Sequence, residues 1–206
     1  MNKTTKPWYK NIPHIWEIPE DWNNNELWNF SSITTWRLDA NAMVEDWEYR
    51  FYTCAKKHYH INEYAFDTEA LLISWNWANV WYIHYFKWKF NAYQRTYVLD
   101  NFINSDIFYI KHFLWRKLHE RIHREKNEGN TPYIVLWTLK DMNIALPPIK
   151  EQEKIAKILN TCDSQIETTK QIIKKIELRN KGLQQQLLTW KKRLPWFTED
   201  WNEMTL

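Results

Sequence analysis

Three polar stretches hold the side chains best suited to contacting a ligand: CAKKHYH (54–60), SWNWANV (74–80) and KFNAYQRTYVL (89–99). They supply Lys56, Lys57, His58 and His60, then Asn76 and Asn79, then Lys89, Asn91, Gln94 and Arg95. These residue types suit recognition better than bond breaking. Arginine can give two parallel donors to a guanine edge, asparagine or glutamine can pair with adenine, and lysine neutralises phosphate. Each is also what an ordinary solvated turn carries. Cys54, His58 and His60 raise the question of a metal, but their spacing fits no zinc pattern and further ligands go unnamed. No metal site is expected.

The stretches fall between runs that read as strands: Tyr49–Thr53, Ala70–Ser74, Tyr82–Phe86, Thr96–Leu99 and Tyr133–Leu136, rich in β-branched and aromatic residues. A helix is expected from Ser105, as N-cap, to about Gly129. In it Ile107, Ile110, Leu114, Leu118 and Ile122 recur at helical spacing. Its second half carries Arg116, Lys117, Arg121, Arg124 and Lys126 against Glu120 and Glu125, which suits either phosphate tracking or a solvated face.

At Leu146-Pro147-Pro148 the pattern changes, since a double proline ends one element and can open a helix. Beyond it Ile155, Leu159, Cys162, Ile166, Thr169, Ile173, Ile176, Asn180, Leu183 and Leu187 alternate four and three residues apart. That is a heptad seam, on a helix expected over 150–190 and about 60 Å long at 1.5 Å per residue. Such a stripe needs a partner helix, and Asn180 within it would fix register at some cost in stability. The fold class is therefore α+β: a mixed α/β domain over 1–149, the long coiled-coil helix over 150–190, and a linker over 191–206. EDWNNNEL (20–27) returns as EDWNEMTL (199–206), so the chain ends as though a second copy were beginning.

Charge excludes a uniformly basic surface. Residues 1–149 carry 17 basic and 17 acidic side chains, and 150–206 carry 11 and 8. Nucleic-acid binding must therefore rest on local patches. No run of 18 apolar residues exists and the N-terminus lacks a signal-peptide core, so a cytoplasmic protein with Cys54 and Cys162 reduced is expected.

LPPIKEQEKIAKIL (146–159) and LQQQLLTWKKRLPWF (183–197) resemble the conserved region of type I restriction–modification DNA specificity subunits. YAFDTEALLIS (64–74) and KFNAYQRTYVL look like that family's target-recognition domain. The resemblance implies a non-catalytic DNA-binding subunit, with modification (methyltransferase) and restriction (translocase) subunits as partners. S-adenosylmethionine, ATP and magnesium would belong to those partners, with no cofactor bound by this subunit. A full subunit of the family holds two recognition domains and two helices paired as a coiled coil. This chain looks like half of one, so a dimer of half-subunits on double-stranded DNA is expected. The family does not identify base contacts, because its recognition domains vary in sequence.

The chain departs from the family in one respect. It has fifteen Trp and two Gly, against a usual glycine share of about 7%. Family members usually show glycine where Trp36, Trp47, Trp75, Trp77, Trp81, Trp88, Trp190 and Trp196 stand. UGA codons that specify glycine, decoded as tryptophan, would produce this pattern. Two other functions compete with DNA recognition. NTPY (130–133) has the outline of an amino-methyltransferase site, but Thr131 replaces its first proline and the expected glycine loop leads into a strand rather than a helix. A coiled-coil assembly protein without a DNA role is the other.

Overall fold

The computed structural model describes residues 8–12, 16–44, 48–75, 82–125, 134–189, 191–197 and 199. The architecture is α+β. Six strands form the main sheet: β4 (Ser32–Thr35), β5 (Tyr49–Tyr52), β6 (Tyr59–Ile61), β7 (Phe66–Ser74), β8 (Ile83–Ala92) and β9 (Thr96–Asp100). Their order is β4-β9-β7-β8-β5-β6, and all neighbours are antiparallel except β5 and β8. Two ribbons flank it, β1 (Tyr9–Ile12) with β2 (Trp16–Pro19) and β3 (Asn23–Glu26) with β10 (Asn143–Leu146). The first copy of the repeated octapeptide spans β3, and its Leu27 is fully buried. Of the second copy, only Glu199 is described.

Strand alternation sends Leu71, Ile73, Ile83, Tyr97 and Leu99 to one face, where they meet helix α1 (Ile107–Glu125). Ile110, Leu114 and Leu118 of α1 are fully inaccessible and Ile122 nearly so, as their spacing predicts. The N-cap is Asp106 rather than Ser105. Its carboxylate accepts from the Tyr109 amide at 2.8 Å, the N-cap-to-N3 bond that orders a first turn. The other face carries a second cluster: Tyr52, Ala70, Leu72, Phe90, Ala92 and Val98, with Phe66 and Phe86 against it.

The β7–β8 hairpin is strongly coiled. Phe66 faces Phe90 at one end of the pairing and Ile73 faces Ile83 at the other. Yet Ser74 and Ala92 both lie close to Thr96, the first through pairing with it and the second through a three-residue turn. Straight strands at about 3.3 Å per residue could not bring those ends together. Within β8, Trp88 takes φ 151°, a region that favours glycine. Of the eight tryptophans at expected glycine positions, Trp36, Trp75, Trp88 and Trp196 are described, and only Trp88 has such a backbone. Trp75 instead stacks on Tyr97, ring centroids 6.2 Å apart.

Among the described residues, the strand expected over Tyr133–Leu136 does not form. Tyr133 lies outside the described residues, and Leu136–Lys140 form a short helix, α2, rather than the end of a strand. Leu136 and Leu139, three apart, pack into the same core, which a helical turn achieves and a strand does not. Ile134 keeps one strand-like bond, donating its amide to the Trp75 carbonyl at 2.7 Å.

Helix α3 runs from Ile149 to Leu188. The Pro148 carbonyl accepts from the Glu151 and Gln152 amides, closing its first turn. Gln152 is 1% exposed; its amide nitrogen donates to the Pro147 carbonyl at 2.8 Å and its oxygen accepts from the Asp106 amide at 3.0 Å. That side chain stitches the start of α3 to the start of α1, which gives the glutamine of LPPIKEQ a structural role. Ile155 and Ala156 join the main core. The compact unit accordingly extends through Leu159 and takes in the first turns of α3; a second unit begins at Asn160.

Candidate nucleic-acid interface

Backbone bonds draw together the connections at one end of the main sheet. The Trp75 amide donates to the Arg95 carbonyl at 3.0 Å, and the Cys54 thiol reaches the same carbonyl at 3.5 Å. The Ser74 hydroxyl donates to the Thr53 carbonyl, and the Tyr93 amide to the Tyr52 carbonyl. His84 Nε2 lies 3.0 Å from the Ala55 carbonyl. The β5–β6 loop, the turn after β8 and the edge of the β7–β8 loop are thus held side by side. These come from the three stretches that the sequence singles out.

On this rim Lys56, Lys57, His58 and Gln94 are exposed, while the side chain of Arg95 is partly covered. Asn76 and Asn79 lie outside the described residues. Two expected contacts belong elsewhere. Asn91 is 1% exposed; its amide donates to the Glu63 carbonyl and accepts from the Ala92 amide, so it has no surface to offer a base. It is polar because it satisfies buried backbone. Lys89 faces Asp67 across the hairpin and lies 4.6 Å over the Tyr64 ring, beside the β6–β7 connection.

Two further cations, not among the residues expected from the sequence, stand near this rim. Leu38 bridges Tyr93, and its carbonyl accepts from the Gln94 amide at 2.9 Å, which places exposed Arg37 beside the turn. No periodicity in TTWRLD announces that register. Arg50, on β5, packs against Phe86 and Tyr52 just behind the Lys56–Lys57 loop. Its charge between Tyr49 and Phe51, in an aromatic strand, was the available signal.

Imidazoles line the same region. His58 and His84 form a chain of rings with Tyr52, at centroid distances of 5.9 and 5.0 Å. Partial desolvation of the ring by its Tyr52 and His60 neighbours comes first, and then the Arg50 and His60 charges; together they hold the otherwise exposed His58 below the ordinary imidazole range. Burial likewise lowers His84, against the pull of its bond to Ala55. Both are therefore neutral near pH 7. On α1, Lys117 is buried on Glu120 at 3.1 Å, Arg116 reaches the same carboxylate at 3.2 Å, and Arg121 pairs with Asp141 at 2.8 Å; the Arg124 side chain and Lys126 lie outside the described residues. Those three cations are ion-paired within the domain.

Among the described residues, no three His, Cys, Asp or Glu side chains come together as metal ligands, and no helix is long and apolar enough to cross a membrane. Among the described residues the arrangement is a rim of cations, an amide and neutral imidazoles at one end of the main sheet, with no nucleophile–base pair evident in it.

Comparison with known proteins decides the family. The signature of the type I restriction modification DNA specificity domain matches residues 19–178. The chain belongs to this family. It is 38% identical over 177 residues to the EcoDI specificity subunit of Escherichia coli, covering 84% of this chain and 38% of that one. Against the MjaVIII specificity subunit of Methanocaldococcus jannaschii the identity is 25% over 196 residues, covering 85% and 44%. This specificity-domain chain thus spans less than half the length of those relatives. Its fold matches the type I S subunit from M. genitalium with a TM-score of 0.62 at 13% identity, covering 80% of this chain and 45% of that one. The subunit from Thermoanaerobacter tengcongensis gives 0.58 at 16% identity, covering 80% and 42%.

Proposed function

We propose that this chain is the DNA-reading component of a type I restriction–modification complex, recognising one half of a split duplex site. The observation that carries the reading is the convergence of Lys56, Lys57, His58, Gln94 and Arg95, with Arg37, on one end of the sheet of a specificity-family domain. Base-edge donors and phosphate-neutralising cations standing together are what specific duplex binding requires. The chain contributes recognition and no bond-breaking step; methylation and cleavage, with S-adenosylmethionine, ATP and magnesium, fall to modification and restriction subunits. Helix α3 docks the modification subunits and pairs with a second copy. Supporting that pairing, Leu159, Ile166, Ile173, Ile176 and Leu183 are each between 38% and 53% exposed, and Cys162 is exposed too, an apolar seam left uncovered. The complex works in the cytoplasm, where its duplex substrate lies.

The test is duplex affinity as a function of salt. Replacing Lys56 and Lys57 together by Gln lowers affinity for every duplex alike and makes the salt slope shallower by about 0.9 for each phosphate these lysines neutralise. Unchanged affinity and slope would remove this rim from the interface.

A further inference from the structure

Arg50 stands opposite His60 of β6 and beside Phe90 of β8. Its guanidinium carbon lies 4.4 Å from the Phe86 ring centroid, and its Nη1 donates to the Tyr52 hydroxyl at 3.5 Å. Guanidinium carries five N–H donors in a fixed plane. One long bond and one stacked face leave most of them unspent. Among the described residues no ion pair joins it to a carboxylate. Among the described residues, the ionisable groups placed around it are the Tyr52 phenol and the His58 and His60 imidazoles, and His84 lies beyond Tyr52. None of these brings negative charge near pH 7. A partly buried cation without a counter-charge is costly to maintain, which marks the group as one that a ligand oxygen completes.

The position suits such a ligand. From Phe86 the ring chain runs through Tyr52 to His58, at centroid distances of 5.7 and 5.9 Å, and so into the loop bearing Lys56 and Lys57. The contact with the Phe86 ring also restrains the guanidinium, so less side-chain entropy is lost when it binds.

We propose that Arg50 is a DNA-contacting residue, donating from its stacked guanidinium to an acceptor oxygen of duplex DNA seated on the 53–58 loop. This rests on the DNA-reading function proposed above. The acceptor is either the O6/N7 edge of a guanine or a backbone phosphate, which share the chemistry and differ in consequence.

The experiment selects duplexes from a randomised pool with the full chain, and with Arg50→Lys and Arg50→Met variants whose folding is checked by thermal melting. Arg50→Met keeps an apolar stem beside Phe86. A guanine contact predicts that both variants lose preference at one position of the selected motif. Affinity for the preferred duplex then falls by about tenfold, and lysine fails to rescue it because it cannot donate bidentately. A phosphate contact predicts an unchanged motif, uniform weakening and a salt slope reduced by about one in Arg50→Met, with Arg50→Lys restoring most of the binding. Either result supports the assignment. Folded variants with unchanged motif, affinity and salt slope overturn it while leaving the DNA-reading function standing. A wild-type chain that selects no duplex at low salt overturns both.

Discussion

Trp88 holds φ 151° in the middle of a ten-residue strand, with its indole 48% exposed and 5.9 Å from the Tyr49 ring. Side chains are strained in that region by about 1–3 kcal/mol, and glycine is not. Glycine should therefore be the better residue there, although it normally weakens strand interiors. Trp88→Gly is expected to exceed Trp88→Ala in stability by about 1 kcal/mol or more by denaturant unfolding. Equal stability, or an advantage for alanine, would show that the backbone at 88 imposes no such demand. The same contrast shows what residue types reveal and conceal. The glycine deficit drew attention to position 88, but Trp75 shared that deficit and packs comfortably on Tyr97. Likewise Asn91 and Gln94 look equivalent in KFNAYQRT, yet one is spent inside on Glu63 and the other stands on the rim. Side-chain chemistry was legible there, and burial was not.

Elements with long periodicity were the most legible. The apolar stripe of α1 and the onset of α3 after the double proline follow directly from spacing, because each repeats over many turns. α2 was not legible, because five residues cannot display a period, and the expected strand overlaps it only at Leu136; Leu136 and Leu139 become core residues only through the packing around them. The approach of Arg37 to the turn after β8 was likewise invisible, since it depends on a bridge between Leu38 and Tyr93, far apart in sequence. Gln152 gives an element-scale prediction. Gln152→Ala removes both of its bonds and leaves the Pro147 carbonyl and the Asp106 amide without that partner. A loss of about 1–3 kcal/mol is expected, the usual cost of a stranded buried polar group. Unfolding midpoints measure it, and a change below a few tenths of a kcal/mol would mean Gln152 does not hold α3 to α1.

On the proposed function, the exposed seam of α3 would tie site specificity to assembly. Two copies paired through α3 present two identical rims, so the selected DNA should be palindromic and split, with a spacer fixed by the paired helices. Ile173→Asp places a charge in the seam at a position 50% exposed in the single chain. It should leave the domain folded while abolishing dimerisation, as read by light scattering across micromolar concentrations. A stripe of that length raises the expectation of a partner helix, but nothing in the sequence names the target bases. They depend on side-chain positions at the rim that no periodicity encodes. The most direct test of the DNA-reading function is selection of duplexes from a randomised pool by the wild-type chain beside Ile173→Asp. A split palindrome is expected for the wild type, reduced to a weakly bound single half-site in the variant. Enrichment of no sequence by the wild type, with or without its modification subunits, would contradict it.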